Sequence, residues 1–212
     1  MKKKIISALM TFLITLFSLS AVVGPASADT YSSYSALKSR NTINEDYRIV
    51  SRDTASSTAV IAIHGGVIES ETDEIASAVA SKGGYDYYGF LGLRSGLHIT
   101  STNFDEPIAR RLVAKSTKTL SIHGCTGTSQ ITYLGGLDKT TGQKVKTALQ
   151  AAGFRVSTAP SRLAGTARTN ICNSNTINKG VQLELTKSMR NYLGSNSTAF
   201  NRYTTALANA ID

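Results

Sequence analysis

The sequence predicts a single α/β domain, in which a central, mixed and mostly parallel sheet carries helices on both faces. Short runs rich in Val, Ile and Ala alternate along the chain with amphipathic stretches, which is typical of strand and helix alternation. The 184 residues that follow a leader segment suffice for one domain with a substantial core, but are too few for two of ordinary size. The sequence contains no internal repeat and no long linker.

The leader has the composition of a secretory signal peptide. It combines three lysines, the apolar stretch Ile5–Val23 and the small-residue tripeptide at 26–28. An apolar stretch of this length could also anchor a membrane helix, but the A-x-A site that follows it favours cleavage. We therefore expect residues 1–28 to be removed, and residues 29–212 to form a secreted, extracellular domain without stable membrane association.

The mature chain remains basic after this cleavage. Loss of the three lysines lowers the formal net charge from +9 to +6. A basic secreted domain attracts polyanions, a class that includes nucleic acid, anionic cell-wall polymers and acidic polypeptides.

The first strand, loop and helix unit follows a polar segment, residues 30–47, which we expect to be ordered by packing against the domain. Thr58–Ile63 is short and rich in Val, Ile and Ala, as expected of a strand buried on both faces. Glu71–Lys82 has apolar residues at helical spacing, acidic residues in its first turn and two glycines after its end. These features predict a helix.

The remaining elements repeat this alternation with variations. In chain order, the sequence predicts neighbouring strands at YDYYGFLGL and LHITST, the helix PIARRLVAKS opened by Pro107, the strand TKTLSIHG, a loop containing ITYLGG, the helix TTGQKVKTALQAAG, the strands FRVSTA and GVQLELT, and the helix STAFNRYTTALANAID with Ser197 or Thr198 as its cap.

Two histidines stand where predicted strands end: His64 closes AVIAIHGG and His123 closes TLSIHGC. The carboxyl ends of parallel strands are where functional residues gather. One such histidine is more often a hydrogen-bonded core residue, but here there are two, each followed by glycine, and Glu69 follows the first. Imidazole and carboxylate are ordinary ligands of zinc, and a catalytic zinc takes three protein ligands. The pattern therefore predicts one Zn²⁺ held by His64, Glu69 and His123.

A second carboxylate, Glu184, lies in the otherwise apolar strand GVQLELT. Charges are seldom buried without a partner, so its position favours a role as the general base of a zinc hydrolase, with Gln182 on the same face. The alternative is an edge strand, in which alternation exposes both side chains to solvent.

The segment RLAGTARTNICNSNTINKG is rich in Arg, Asn and Thr and is either a solvated loop or a substrate-binding loop. Arg168 and Asn170 are candidates for clamping a carboxylate, because guanidinium binds carboxylate in a fork and an amide adds a directed donor. Arg94, at the end of a predicted strand, is a further candidate for an anionic substrate. His98 is interpreted as a surface or structural residue, with a minor substrate role left open.

Cys125 and Cys172 are the only cysteines. Export to an oxidising compartment leaves a disulfide between them open. A nucleophilic Cys125 is a competing interpretation, but it needs a base and a free thiol. His123 cannot be that base if it binds zinc, and a disulfide would remove the thiol.

The ordered combination of HGG with Glu69, SIHGC at 121–125, NICN at 170–173 and GVQLEL at 180–185 resembles the poly-γ-glutamate hydrolase family, zinc enzymes of phages and bacilli. The resemblance runs from about Tyr47 to the end of the chain. It implies a fold like that of the carboxypeptidase A superfamily, zinc on His64, Glu69 and His123, and a catalytic glutamate at Glu184.

The resemblance also implies a substrate, the polyanion poly-γ-glutamate, which suits a basic secreted protein. We expect a monomer that hydrolyses γ-glutamyl amide bonds and does not bind nucleic acid. Two alternatives remain open from the sequence. One is a zinc amidase acting on γ-glutamyl bonds of cell-wall peptides, and the other is a non-catalytic module that binds anionic polymer.

Overall fold

The computed structural model describes residues 29–212 of the chain. The predicted signal peptide, residues 1–28, lies outside the described residues, so its removal stays a prediction. Among the helices within 29–212, none is long and apolar enough to cross a membrane.

The domain is built on one mixed sheet, whose seven strands have the spatial order β1-β3-β2-β4-β7-β5-β6. Four neighbouring pairs are parallel, and only the β1·β3 and β5·β7 pairs are antiparallel. This confirms the predicted mixed, mostly parallel sheet. The strands are β1 (Tyr47–Arg52), β2 (Thr58–Gly66), β3 (Asp86–Gly92), β4 (Lys118–Cys125), β5 (Thr132–Gly136), β6 (Val156–Thr158) and β7 (Val181–Thr186).

Helices cover both faces of the sheet, as predicted. One face packs against four helices and the other against two, and each face has its own buried cluster of apolar side chains. The first face carries α2 (Thr72–Gly83), α4 (Lys139–Ala151), α5 (Lys187–Ser195) and α6 (Ser197–Ala210), and the second carries α1 (Tyr34–Lys38) and α3 (Pro107–Lys115).

The central strands supply both clusters because successive side chains of a strand point to opposite faces. Leu120 and Ile122 of β4 belong to the first cluster, and Ile61 and Ile63 of β2 belong to the second. Each is at most 1% exposed, and burying such a side chain contributes roughly 1.5 to 3 kcal/mol. The carboxyl edge of these strands therefore rests on a rigid support.

Two predicted elements are wrong. LHITST is an irregular segment and not a strand, although Leu97 and Ile99 are buried in the second cluster. Its alternation of apolar side chains reflects packing without strand pairing. Conversely, the stretch ITYLGG, expected as a loop, contains β5, which pairs antiparallel with β7.

Helix boundaries follow the local signals closely. Pro107 opens α3, and α2 ends at Gly83, followed by the cap residue Gly84 in a left-handed conformation with φ +67°. The predicted cap of α6 is wrong by one residue, because Asn196 accepts the hydrogen bond of the Ala199 N–H at 2.9 Å. Asparagine is as strong a cap as serine, so Ser197 becomes the first helical residue.

Candidate metal centre and active-site cleft

A bulge at the end of β2 directs His64 toward the site. Two residues of β2, Ile63 and His64, oppose the single residue Phe90 of β3. Ile63 packs into the second cluster, and the ring of His64 lies on the same side, with its centroid 4.9 Å from that of His123. Strict alternation would have turned His64 to the opposite face. The bulge thus aims the imidazole, a common use of such irregularities beside functional sites.

The loop after β2 returns Glu69 to His64. The Glu69 N–H donates to the His64 carbonyl at 2.8 Å, and its Oε2 accepts from the Gly124 N–H at 2.7 Å. The turn requires a glycine at 66, since φ there is +65° and a Cβ would lie 2.3 Å from the Gly92 carbonyl oxygen. This explains Gly66, the second of the paired glycines after the histidine.

The side chains of His64, Glu69 and His123 converge on one point. His64 Nδ1 lies 3.1 Å from Glu69 Oε1 and 3.1 Å from His123 Nδ1, and His123 Nδ1 lies 3.5 Å from Glu69 Oε2. Four ligands around a zinc at about 2.0 to 2.1 Å are separated by about 3.4 Å. The three predicted ligands therefore have the spacing of donors to a single ion.

The far nitrogen of each ring orients it toward this point. His64 Nε2 lies 2.9 Å from the Ile99 carbonyl oxygen, which only accepts, so Nε2 carries the proton and Nδ1 keeps its lone pair. His123 Nε2 lies 2.9 Å from the Ser121 hydroxyl, which orients the second ring so that its Nδ1 faces the same point.

This arrangement fits a metal ion by its chemistry. Two imidazole lone pairs and a carboxylate face one another across little more than 3 Å, and a cation offsets their mutual repulsion. Burial favours the neutral acid of Glu69, but protons on the facing nitrogens of His64 and His123 outweigh burial and hold the pKa of Glu69 below its usual value, and a cation in their place acts in the same direction. Glu69 is thus held as an anion, as a carboxylate ligand of a metal would be.

His98 forms a second group with His64 and Glu69, whose ligand atoms all lie within 4.8 Å of one another. Its ring stacks on that of His64 with centroids 4.0 Å apart, and its Nδ1 lies 2.5 Å from Asp29 Oδ1. We favour His123 as the third ligand, because its Nδ1 lies 3.1 Å from His64 Nδ1 and 3.5 Å from Glu69 Oε2 and has no partner outside this group among the described residues, whereas His98 Nδ1 is bonded to Asp29.

Glu184 lies beside this centre on an interior strand. β7 is placed between β4 and β5, so the alternative of an exposed edge strand is wrong. Glu184 pairs in register with His123, and its side chain is 6% exposed. Burial, reinforced by the charge of Glu69, raises the pKa of Glu184 well above its usual value. Two neighbouring carboxyl groups are therefore driven to opposite protonation states.

A chain of amides supports Glu184. Gln182 Nε2 donates to Glu184 Oε1 at 2.9 Å, and Asn170 Nδ2 donates to Gln182 Oε1 at 2.9 Å. The Asn170 Oδ1 accepts from the Cys172 N–H at 3.0 Å. Asn170 lines the cleft, but both ends of its amide make bonds within the protein.

These side chains form the wall of a cleft of about 560 Å³ at the carboxyl edge of the sheet. Its polar lining includes Arg162 and residues Thr100–Thr102, which sequence reasoning did not single out. Arg162 belongs to a short 3₁₀ helix, Ser161–Leu163, and is exposed. It is the one Arg or Lys among the described residues that line this cleft.

The two predicted substrate-binding arginines lie elsewhere. Arg168 is exposed and does not line the cleft. Arg94 is also outside it, and its guanidinium is bonded to Asp46 Oδ1 at 2.6 Å and to Asn41. Sequence reasoning therefore found the arginine-containing segment, but selected Arg168 where the structure brings Arg162 to the cleft.

Both cysteines are free thiols. Cys125 ends β4 opposite Thr186, whereas Cys172 contacts Gly180, which precedes the other end of β7. Six residue steps along the strand, from Gly180 to Thr186, separate these levels by roughly 20 Å, well beyond the span of a disulfide. Burial raises the pKa of Cys125 to about 12, which disfavours a thiolate nucleophile.

Arg190 of α5 supports the Glu69 loop and was missed because the sequence did not predict α5. Its Nη1 donates to the Ser70 carbonyl at 2.8 Å, and its Nε donates to the Leu185 carbonyl at 3.3 Å. A Cβ at residue 124 would lie 2.6 Å from Arg190 Nε, so Gly124 makes room for this contact.

The fold and the site together define a class of protein: a single-domain α/β chain with a histidine and glutamate metal-type centre and a buried second glutamate at the carboxyl edge of its sheet. The model of the poly-gamma-glutamate hydrolase family matches residues 31–210. The chain therefore belongs to this family of hydrolases, and the resemblance drawn from the sequence motifs is confirmed.

Individual relatives agree with this assignment. The SPbeta prophage-derived UPF0714 protein YoqZ of Bacillus subtilis strain 168 is 38% identical over 96% of this chain and 72% of YoqZ. The structure of a bacteriophage poly-gamma-glutamate hydrolase is 31% identical, with a TM-score of 0.82 over 86% of this chain and 96% of that chain. A zinc-free structure of YndL is 30% identical, with a TM-score of 0.78 over 86% and 97%.

Proposed function

We propose that this protein is a zinc-dependent hydrolase that cleaves γ-glutamyl amide bonds of poly-γ-glutamate, with Glu184 as general base and acid. The observation that carries the proposal is the convergence of His64 Nδ1, His123 Nδ1 and the Glu69 carboxylate beside a second, buried carboxyl group. Family membership and the zinc-free form described for YndL support the choice of substrate and of metal.

His64, Glu69 and His123 would hold the zinc ion, which when bound would supply a Lewis acid for the amide carbonyl and for an attacking water. The protein supplies the proton transfers: Glu184 accepts the proton of the attacking water on its carboxylate and returns it to the leaving amine nitrogen. Gln182 holds Glu184 Oε1, which leaves the other carboxylate oxygen for these transfers.

The raised pKa of Glu184 suits this double role. A carboxyl group whose neutral form is stabilised by burial is a stronger base when ionised and surrenders its proton at higher pH than a solvated glutamate. Glu69, held ionised by its two histidines, remains a ligand and does not compete for the proton.

The cleft lining contains a cationic side chain that suits the negative charge of the substrate. Poly-γ-glutamate carries a free α-carboxylate on every residue, which the carboxylate of Glu69 alone would repel. Arg162 is the cation in the cleft lining that such a chain would meet. An exposed guanidinium without an ion pair among the described residues is free to bind a carboxylate in a fork.

The test is incubation of the mature protein with purified poly-γ-glutamate, with and without a chelator, followed by sizing of the products. The proposal expects depolymerisation that the chelator abolishes and that added zinc restores. Cleavage that persists without metal would contradict zinc dependence. Clearing of cell-wall material without cleavage of the polymer would favour the cell-wall amidase, and polymer binding without cleavage would favour a non-catalytic module.

We also propose that residues 1–28 are removed and that the mature protein acts outside the cell. Cleavage there preserves contacts of the domain, since Asp29 Oδ2 accepts from the Thr100 N–H at 2.6 Å and Asp29 Oδ1 contacts His98. Amino-terminal sequencing of protein recovered from the culture medium tests this, and a chain that starts upstream of residue 29 would contradict it. The expected monomer stays a prediction.

A further inference from the structure

A second cleft of about 260 Å³ lies next to the first. Its lining includes Thr102, Asn103, Thr169 and Arg110. These side chains offer a guanidinium, an amide and two hydroxyls, all of which can donate hydrogen bonds to a carboxylate. The cleft therefore has the chemistry of an anion-binding site.

The two clefts adjoin along two segments of the chain. Thr102 lines both, and residues on either side of it line one each. In the second segment, Asn170 lines the first cleft and Ile171 lines the other. The Ile171 N–H donates to the Ser101 carbonyl at 3.0 Å, so the segments are joined where the clefts meet. An extended ligand could therefore pass from one cleft to the other.

Arg110 is the cation of the second cleft. It is exposed on α3 and makes no ion pair within residues 29–212, whereas its neighbour Arg111 pairs with Asp53 at 2.7 Å. The other charged side chain in the lining, Asp105, accepts the Tyr34 N–H on its Oδ1 at 2.6 Å and makes no ion pair with Arg110. Arg110 thus has a charge without a protein partner, directed at a polar cleft.

We propose that this second cleft is a remote binding site for the polymer, in which Arg110 holds an α-carboxylate of the same chain whose amide bond is cleaved in the first cleft. The inference rests on the proposed function and extends it to specificity. A chain that fills both clefts binds more tightly than one that fills the first alone, so the enzyme prefers long polymer to short γ-glutamyl oligomers.

The experiment compares Arg110→Ala with Arg111→Ala, which removes the same charge from the adjacent position of the same helix. Binding of long polymer is measured by affinity gel electrophoresis at fixed ionic strength, and KM and kcat are measured for long polymer and for short oligomers. Arg110→Ala is expected to weaken binding of long polymer and raise its KM by roughly two- to fivefold, the range for an exposed charge contact. Arg111→Ala is expected to leave both quantities near wild type.

Three outcomes would overturn the inference: equal effects of the two substitutions, an equal effect of Arg110→Ala on oligomers and polymer, or no effect of Arg110→Ala. Any of them, in an enzyme that still cleaves the polymer, leaves the proposed function standing. If the wild-type protein neither binds nor cleaves poly-γ-glutamate, the proposed function fails and the remote site fails with it. Recovery of polymer affinity in Arg110→Lys would support a charge contact.

Discussion

His123 and Glu184 are partners in register on the adjacent parallel strands β4 and β7. Their side chains point to the same face of the sheet and are almost completely buried. One of the candidate metal ligands and the candidate base are therefore held by the hydrogen bonds of the central sheet and not by loops. Such placement on rigid elements is what a catalytic pair requires, since small displacements are costly.

Glu184→Gln should abolish most of the activity while preserving the metal centre. The substitution keeps the shape of the side chain but removes its ability to accept a proton, so kcat on poly-γ-glutamate should fall by about 10²- to 10⁴-fold. Metal content, measured on the purified protein, should equal that of wild type. Loss of metal together with activity would instead assign Glu184 to the metal centre, and an unchanged kcat would contradict its role as base.

Ser121→Ala should weaken metal binding. The Ser121 hydroxyl lies 2.9 Å from His123 Nε2 and orients the ring whose Nδ1 faces the site. Loss of such a supporting contact typically lowers metal affinity by about 10- to 100-fold, measurable by competition with a chelator.

Ser116→Ala is the matched control for this change. Ser116 is also fully buried, but its hydroxyl donates to the Val113 carbonyl at 2.9 Å, away from the cleft. Equal metal affinities of the two variants would contradict an orienting role for Ser121.

Much of the centre could be predicted from sequence because its signals are local. His64 and His123 each end an apolar strand, and Glu184 interrupts one, so strand ends and burial alone identified them. Glu69 follows His64 after a glycine turn, within a single loop. These residues needed only the assumption that neighbouring strands are parallel.

The rest depends on contacts between distant parts of the chain. The bulge that turns His64 arises from pairing with β3, and the stacking of His98 on His64 bridges 34 residues. Arg162 and Arg168 lie in one polar segment, and only the fold of that segment decides which of them reaches the cleft. Composition and periodicity contain no information on such choices.

The metal-free protein should lose stability as pH rises, and Glu184→Gln should reduce that loss. Burial raises the pKa of Glu184 in the folded state, so the unfolded chain releases this proton more readily. The stabilisation is fully present below the unfolded value of about 4.5 and is lost as pH rises toward the folded pKa. Urea midpoints of the chelated proteins at pH 5 and pH 8 measure this effect.

Glu45→Gln provides the control, because it removes a carboxylate of equal charge from an exposed position. The influence of Glu69 is common to all three proteins and cancels in the comparison. If Glu184→Gln and wild type lose the same stability between the two pH values, Glu184 is not held neutral by burial.

Cys125→Ala should retain activity close to that of wild type. Cys125 lines the cleft, but burial raises its thiol pKa to about 12, so little thiolate exists near neutral pH. Thiol titration of the unfolded, unreduced protein should also find two free thiols, because Cys125 and Cys172 lie at opposite ends of the sheet. A collapse of kcat in this variant, with the metal still bound, would instead support the interpretation of Cys125 as the nucleophile.

Arg162→Ala should raise KM for poly-γ-glutamate by about two- to fivefold, the range expected for loss of an exposed charge contact, with little change in kcat. Arg162 is the arginine that lines the cleft, whereas Arg168 does not reach it. Arg168→Ala removes the same charge from the same segment, so it separates a local contact from the general attraction of a basic protein for a polyanion. A larger rise in KM for Arg168→Ala than for Arg162→Ala would mean that the polymer approaches over the outer surface of this segment and not through the cleft.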